Sequence, residues 1–305
     1  MQQALTGTYQ AVLVEAFASS PCRGNGAAVV LLDEPLDDHW LQGLARSLNQ
    51  SETAFLLRLD ERWLLRWFTP SCEVRLCGHA TLAATVALGH WHLLAPQQPC
   101  TLHSLSGPLS VEWLEDGASI VLPSGGLIPL AMGDSLQAYL HRQLGVSASA
   151  GWNSELGYTV LLLPPETPLA EADLAPESLP REVAAGLVLM QPLPPSTAQQ
   201  VLGRTCDYQL RFMAPALGIP EDPVTGSAHA LVAPWWLDRL DRAEVVGWQC
   251  SDRPGGMVCS RTSSGMIRLT GTSHLLWDGT MRLGGWQQQS PQDGDGGSGH
   301  GWRSL

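Results

Sequence analysis

Glu52 lies in Asn49-Gln50-Ser51-Glu52-Thr53, between an amphipathic helical pattern and a wholly apolar strand. A carboxyl partly buried there would have its pKa raised towards the range of a general acid or base. Left in water it would be an ordinary turn carboxylate. His79 follows Gly78 at a helix start, where an imidazole serves as a substrate-facing donor or proton shuttle, or is simply satisfied by backbone groups. Asp222 and Ser227 flank a second turn at Gly226, and either could be only a helix-capping residue. His229, one step inside that helix, reads as packed or partnered. Cys77 precedes Gly78, where a thiol gains thiolate character. Two-base racemisation would need a matching group in the second turn, and Thr225 there does not titrate near neutrality.

The elements that must hold these residues come as a repeat. Arg66-Trp67-Phe68-Thr69-Pro70 leads to Cys77-Gly78-His79-Ala80-Thr81-Leu82. Arg211-Phe212-Met213-Ala214-Pro215 leads to Thr225-Gly226-Ser227-Ala228-His229-Ala230-Leu231. Each is an Arg-led apolar strand ending in Pro, then a loop, a Gly turn and a helix of small apolar residues. The spacing implies two related halves. Two such turns would point two helix N-termini at one cleft, and a helix N-terminus is a ready anion site. Apolar periodicity predicts strands at 9–17, 27–32, 54–57, 63–68, 158–163 and 186–190, with helices at 37–48, 80–91, 134–144 and from about 228. A helical stretch is expected at 179–185, and Pro234 is expected to kink the last helix or to sit where a backbone bond is otherwise satisfied. Many short strands around one buried helix per half give an α+β architecture and not a Rossmann sheet. The expected division is 1–122, with a strand near 275–284 returning to it, then 123–274, and a low-complexity, mobile tail at 285–305.

Composition narrows the function. The net charge is -12 and no basic cluster occurs, which argues against nucleic-acid binding. All 17 basic residues are arginine, so neither a lysine Schiff base nor a Walker-type phosphate loop is available. The seven cysteines form no CxxC pair and no metal-ligand spacing, so the expectation is reduced thiols and no metal. No secretory signal or membrane-spanning run is read, which makes a cytoplasmic protein the expectation.

The ordered set Gly24-Asn25-Gly26-Ala27-Ala28-Val29, Asn49-Gln50-Ser51-Glu52-Thr53, Arg66-Trp67-Phe68-Thr69-Pro70, Cys77-Gly78-His79-Ala80-Thr81, Phe212-Met213-Ala214-Pro215 and Glu221-Asp222-Pro223-Val224-Thr225-Gly226-Ser227-Ala228-His229 resembles the phenazine-biosynthesis (PhzF-like) isomerase family. Gly26 replaces the family's usual Pro, and the Gly/Asp/Gln-rich tail lies outside its pattern. The resemblance implies a diaminopimelate-epimerase-like fold of two pseudo-symmetric halves, each a curled mixed sheet around a central helix, with the active site between them. It implies cofactor-free isomerisation of a small anionic metabolite by a homodimer. Glu52 would move the proton, His79 and Asp222 would complete the catalytic set, and Gly78, Gly226 and Ser227 would hold substrate. Two other readings compete: a catalytically silent binder of small ligands or proteins, and an amino-acid racemase or epimerase.

Overall fold

The computed structural model of the chain describes residues 5–286, 300–303 and 305. They form helices α1 (Asp38–Leu48), α2 (Gly78–His90), α3 (Asp134–Leu144), α4 (Gly226–Leu240) and the short α5 (His300–Arg303) among many strands, an α+β architecture. The chain divides into two compact units. The first takes in the described residues of Met1–Ala16, Gly26–Ala118 and Ser273–Leu305; the second is Phe17–Asn25 with Ser119–Thr272.

In the first unit, strand Asn25–Leu32 runs parallel to Glu52–Leu59, which is antiparallel to Arg62–Phe68. That strand is parallel to Pro99–Ser104, itself antiparallel to Gly107–Leu114. In the second unit, Tyr158–Leu162 runs parallel to Gly186–Pro192, which is antiparallel to Tyr208–Ala214. That strand is parallel to Glu244–Gln249, itself antiparallel to Gly255–Arg261. The same alternation occurs in each unit. In both, the parallel connection after the Arg-led strand is made by a buried helix, α2 or α4.

α1 buries Trp40, Leu41, Leu44 and Ala45 at helical spacing, with Asp38 in its first turn and Arg46 in its last, complementing the helix dipole. It stops at Asn49, whose left-handed φ of 49° lets its N–H return to the Ala45 carbonyl. The chain then turns and enters the next strand at Glu52. α2 is buried all round, as its Ala-rich sequence implies, and packs on strands Leu5–Ala16, Glu52–Leu59 and Gly107–Leu114. Gly89 is what permits that approach: a Cβ there would lie 2.1 Å from the Trp113 indole. α4 packs on Glu244–Gln249 and Gly255–Arg261, and runs past Pro234 to Leu240.

The repeated Arg has the same task twice. Arg66 Nε and Nη2 fork onto Glu73 at 2.7 Å each, joining Arg62–Phe68 to Glu73–Val74. Arg211 Nε and Nη2 fork onto Glu221 at 2.7 and 2.6 Å, joining Tyr208–Ala214 to Ile219–Glu221. A planar guanidinium matches a carboxylate in two parallel bonds, which an ammonium cannot do.

Three expectations need correction. Residues 179–185 are not helical; Pro180, which has no N–H to donate, follows a 3-10 turn at Pro176–Ser178. The strand expected to return near 275–284 starts earlier, as part of one long strand, Ile267–Trp286. The tail expected to be mobile carries α5 and buried Trp302, while residues 287–299 lie outside the described residues.

Candidate active site

Glu52, Cys77 and His79 meet in the first unit. Glu52 is the first residue of its strand, and Cys77 and Gly78 begin α2. His79 Nε2 lies 3.1 Å from Glu52 Oε2, with side-chain exposures of 6% and 18%. On the other side of the imidazole, Cys77 Sγ is 3.5 Å from Nδ1. The ligand atoms of the three side chains all lie within 4.8 Å of one another.

Burial pushes the Glu52 carboxyl up, but the charge of His79 and hydrogen bonding to His79 and Cys77 outweigh it and hold the carboxyl below its ordinary value. The raised pKa expected from sequence is therefore reversed. His79 moves well above its ordinary value: burial pushes it down, while the Cys77 sulfur and the Glu52 carboxylate push it up more strongly. The Cys77 thiol is pushed up to about 11, first by burial and then by the Glu52 charge, against His79. A thiol at that value is neutral near pH 7, so the carboxylate is the anion that keeps His79 protonated. The resting cluster is Glu52 carboxylate, His79 imidazolium and a neutral Cys77 thiol. The thiolate expected of a helix N-terminal cysteine does not form, because desolvation outweighs the helix dipole.

In the second unit Asp222 is buried at a built turn. Asn25 Nδ2 donates to its Oδ1 at 2.7 Å and Thr225 Oγ1 to its Oδ2 at 2.6 Å. Gln249 braces the same turn, donating to the Asp222 carbonyl at 2.6 Å and accepting from the Thr225 N–H at 2.8 Å. Asn25 also donates to the Val224 carbonyl at 3.1 Å. Asp222 thus fixes the entry to α4. Ser227 is not the helix cap; Thr225 occupies that position, and Ser227 Oγ lies 3.2 Å from Tyr158 Oη. Gly226 is the first residue of α4, as Gly78 is of α2, and neither N-cap side chain makes a capping hydrogen bond.

His229 is fully buried with Nδ1 at 2.9 Å from Tyr208 Oη, and burial pushes its pKa down to about 3. It is a neutral, packed histidine. A depression of about 180 Å³ in the second unit is lined by Pro176, Leu179, Pro180, Val183 and Pro215, with Glu177 and Arg181 at its edge. It holds none of Glu52, Cys77, His79, Asp222 or Ser227.

Sequence reasoning missed Asn25, Gln249 and Tyr158. Only Asn25 carried a signal, as the side-chain amide in the Arg23-Gly24-Asn25-Gly26 turn. Cys22 and Cys72 are exposed, whereas Cys77, Cys206, Cys250 and Cys259 are buried. No described helix is long and apolar enough to cross a membrane.

Comparison with known proteins gives a consistent result. The family model described as phenazine biosynthesis-like protein (PhzC-PhzF) matches residues 14–124 and 163–279. An uncharacterized isomerase of Pseudomonas aeruginosa is 37% identical over 271 residues, covering 88% of this chain and 97% of that protein. The human phenazine biosynthesis-like domain-containing protein is 33% identical over 293 residues, with the same coverage. Among solved structures, a PhzF-family protein of Enterococcus faecalis matches with a TM-score of 0.79 at 28% identity, over 90% of this chain and 99% of its own. A hydroxyproline epimerase from Agrobacterium vitis matches with a TM-score of 0.57 at 10% identity, over 92% and 94%, and so shares the epimerase-like fold.

Proposed function

The chain belongs to the phenazine biosynthesis-like (PhzC-PhzF) family, whose relatives include proteins named isomerases, and on that premise we propose that it is a cofactor-independent isomerase acting on a small carboxylate-bearing metabolite. The observation that carries this reading is the Glu52–His79 pair. A general base must be ionised at working pH and within reach of the proton it takes. Glu52 is held ionised by His79, and part of its side chain remains exposed.

Glu52 removes a proton from a carbon acidified by a neighbouring unsaturated or carbonyl group. The electron pair moves into the substrate's π-system, and the Glu52 carboxylic acid returns the proton to another carbon. No net proton or electron is consumed. His79 keeps its proton throughout and opposes the negative charge that develops on the substrate. Gly78, with no side chain of its own, opens α2 at the positive end of its dipole, a setting suited to a substrate carboxylate. In the second unit we assign Gly226 and Ser227 to substrate contact. Asp222 has both oxygens engaged by Asn25 and Thr225, and we assign it to positioning that turn. We further propose a cytoplasmic homodimer.

The racemase reading is disfavoured by Cys77, because a thiol pushed up to about 11 is a poor base near neutrality. The test is incorporation of solvent deuterium into candidate unsaturated carboxylates. The wild type should wash in label and Glu52→Gln, shown to be folded, should not. Equal labelling by both proteins would overturn the proposal, and no labelling of any candidate by the wild type would favour a binding protein.

A further inference from the structure

The short helix α5 is anchored by Trp302. Trp302 is 2% exposed, within an apolar cluster with Leu36, Trp40 and Phe68. Its indole N–H donates to the Leu36 carbonyl at 3.0 Å. Its ring centroid lies 5.2 Å from the Arg66 guanidinium carbon, and Phe68 lies 5.1 Å from the same carbon. Gly301 allows this approach, since a Cβ there would come within 2.5 Å of the guanidinium. Leu305 packs against the same cluster and its carbonyl accepts from Arg62 Nη2 at 2.5 Å.

A helix of four residues is not stable alone, so its order comes from docking. Residues 287–299 contain no aliphatic or aromatic side chain that would compete for the pocket. The same Arg is covered differently in the second unit: Arg211 Nη1 reaches the carbonyls of Leu169 and Ala172, supplied by its own loop. Arg66 Nη1 instead binds Asp38 at 2.7 Å, and the aromatic cover over the guanidinium comes from Phe68 and the far end of the chain.

We infer that α5 and Leu305 act as a tethered peptide ligand of the first unit, docked in cis by Trp302, that clamps the segment leading into Cys77-Gly78-His79. The chain of contacts is short. Trp302 stacks on Arg66; Arg66 forks onto Glu73; four residues after Glu73 the chain reaches Cys77, the N-cap of α2. Excluding water from the guanidinium strengthens its bonds to Glu73 and Asp38. The consequence for turnover rests on the function proposed above; the docking itself does not.

The experiment uses full-length protein. Hydrogen exchange in residues 69–76 should quicken about tenfold in Trp302→Ala and less in Trp302→Phe, which keeps the aromatic cover but loses the indole N–H. Exchange in residues 208–222 should not change, and this second-unit segment reports that the variant is folded. A labelled peptide of residues 298–305 should bind Trp302→Ala by fluorescence anisotropy. In the wild type the tethered copy, at an effective concentration of about 1 mM, should weaken a peptide Kd on the order of 100 μM about tenfold. Unchanged exchange in Trp302→Ala, or equal peptide binding to both proteins, overturns the inference. So does a wild-type mass in solution that falls on Trp302→Ala substitution, which would place the segment on a second copy. None of these readouts uses turnover, so a Glu52→Gln protein that still exchanges substrate protons would sink the proposed reaction and leave the clamp standing.

Discussion

Replacing Glu52 by Gln should discharge His79. Two unit charges 3.1 Å apart attract by about 5 kcal/mol at an effective dielectric of about 20. Burial opposes both ions and takes back part of that energy. With the carboxylate gone and the Cys77 thiol neutral, burial dominates, and the His79 pKa should fall from above its ordinary 6.5 to below it. Because the imidazole can release its proton, the variant is spared an unpaired buried cation, and the stability loss near pH 7 should be about 1–3 kcal/mol instead of the larger penalty of a trapped charge. The pH dependence has a defined sign. The lowered Glu52 pKa adds stability above the ordinary 4.5, lost as pH falls through the folded value. The raised His79 pKa adds stability that is complete below 6.5 and lost as pH rises through the folded value. The pair is therefore fully stabilising between 4.5 and 6.5, and the wild type should lose stability from pH 6.5 upwards in a way that Glu52→Gln does not. Imidazole NMR titration, with His79→Gln for assignment, reads the pKa directly, and urea unfolding across pH reads the linkage. A His79 resonance that titrates identically in wild type and Glu52→Gln would refute the claim that the carboxylate holds the proton on His79.

His229 governs the opposite side of that window. Its folded pKa of about 3 means the unfolded chain takes up a proton first, so each pH unit below 6.5 should cost about 1.4 kcal/mol until the folded value is reached; acid unfolding that is unchanged in a stable His229 replacement would contradict this. Cys77 should resist iodoacetamide in the native protein near pH 7, where about one thiol in 10⁴ would be ionised, while exposed Cys22 and Cys72 react first, as peptide mass mapping will show. Asn25→Ala removes a buried donor to Asp222 and should destabilise by about 1–3 kcal/mol in urea unfolding. Gly89→Ala sets a helix-propensity gain of about 1 kcal/mol against overpacking of about 1–3 kcal/mol on Trp113; the clash at 2.1 Å should win, and a smaller residue at 113 should restore stability.

Much of the frame was legible because it rests on local pattern. The apolar spacing of Trp40, Leu41, Leu44 and Leu48 marks α1, and Ala80, Ala83, Ala84 and Ala87 mark a helix buried on every side. The repeat of an Arg-led strand and a Gly turn marks the two units. The partners were not legible. Glu52 and His79 are brought together by strand order, and nothing in either neighbourhood names the other. Asn25 reaches Asp222 across 197 positions. The direction of the Glu52 shift was misread for that reason, since a lone buried carboxyl rises and a paired one falls. Trp302 was hidden by a polar stretch whose composition says nothing of the pocket that receives it. α1 connects the parallel strands Asn25–Leu32 and Glu52–Leu59, but in the second unit Pro176 and Pro180 deny the equivalent connection the helix expected at 179–185.

The shared order of strand pairing has an evolutionary consequence. An internal duplication would produce a chain whose two units alternate parallel and antiparallel neighbours in one order, each copy then under its own selection. What both copies kept is what the shared ancestor needed in order to fold: the Arg–Glu fork and a glycine opening the buried helix. What diverged is the residue on either side of that glycine, Cys77 and His79 in one copy, Thr225 and Ser227 in the other. Ancestral reconstruction should therefore recover the fork and the glycines at both positions before it recovers either pair of neighbours.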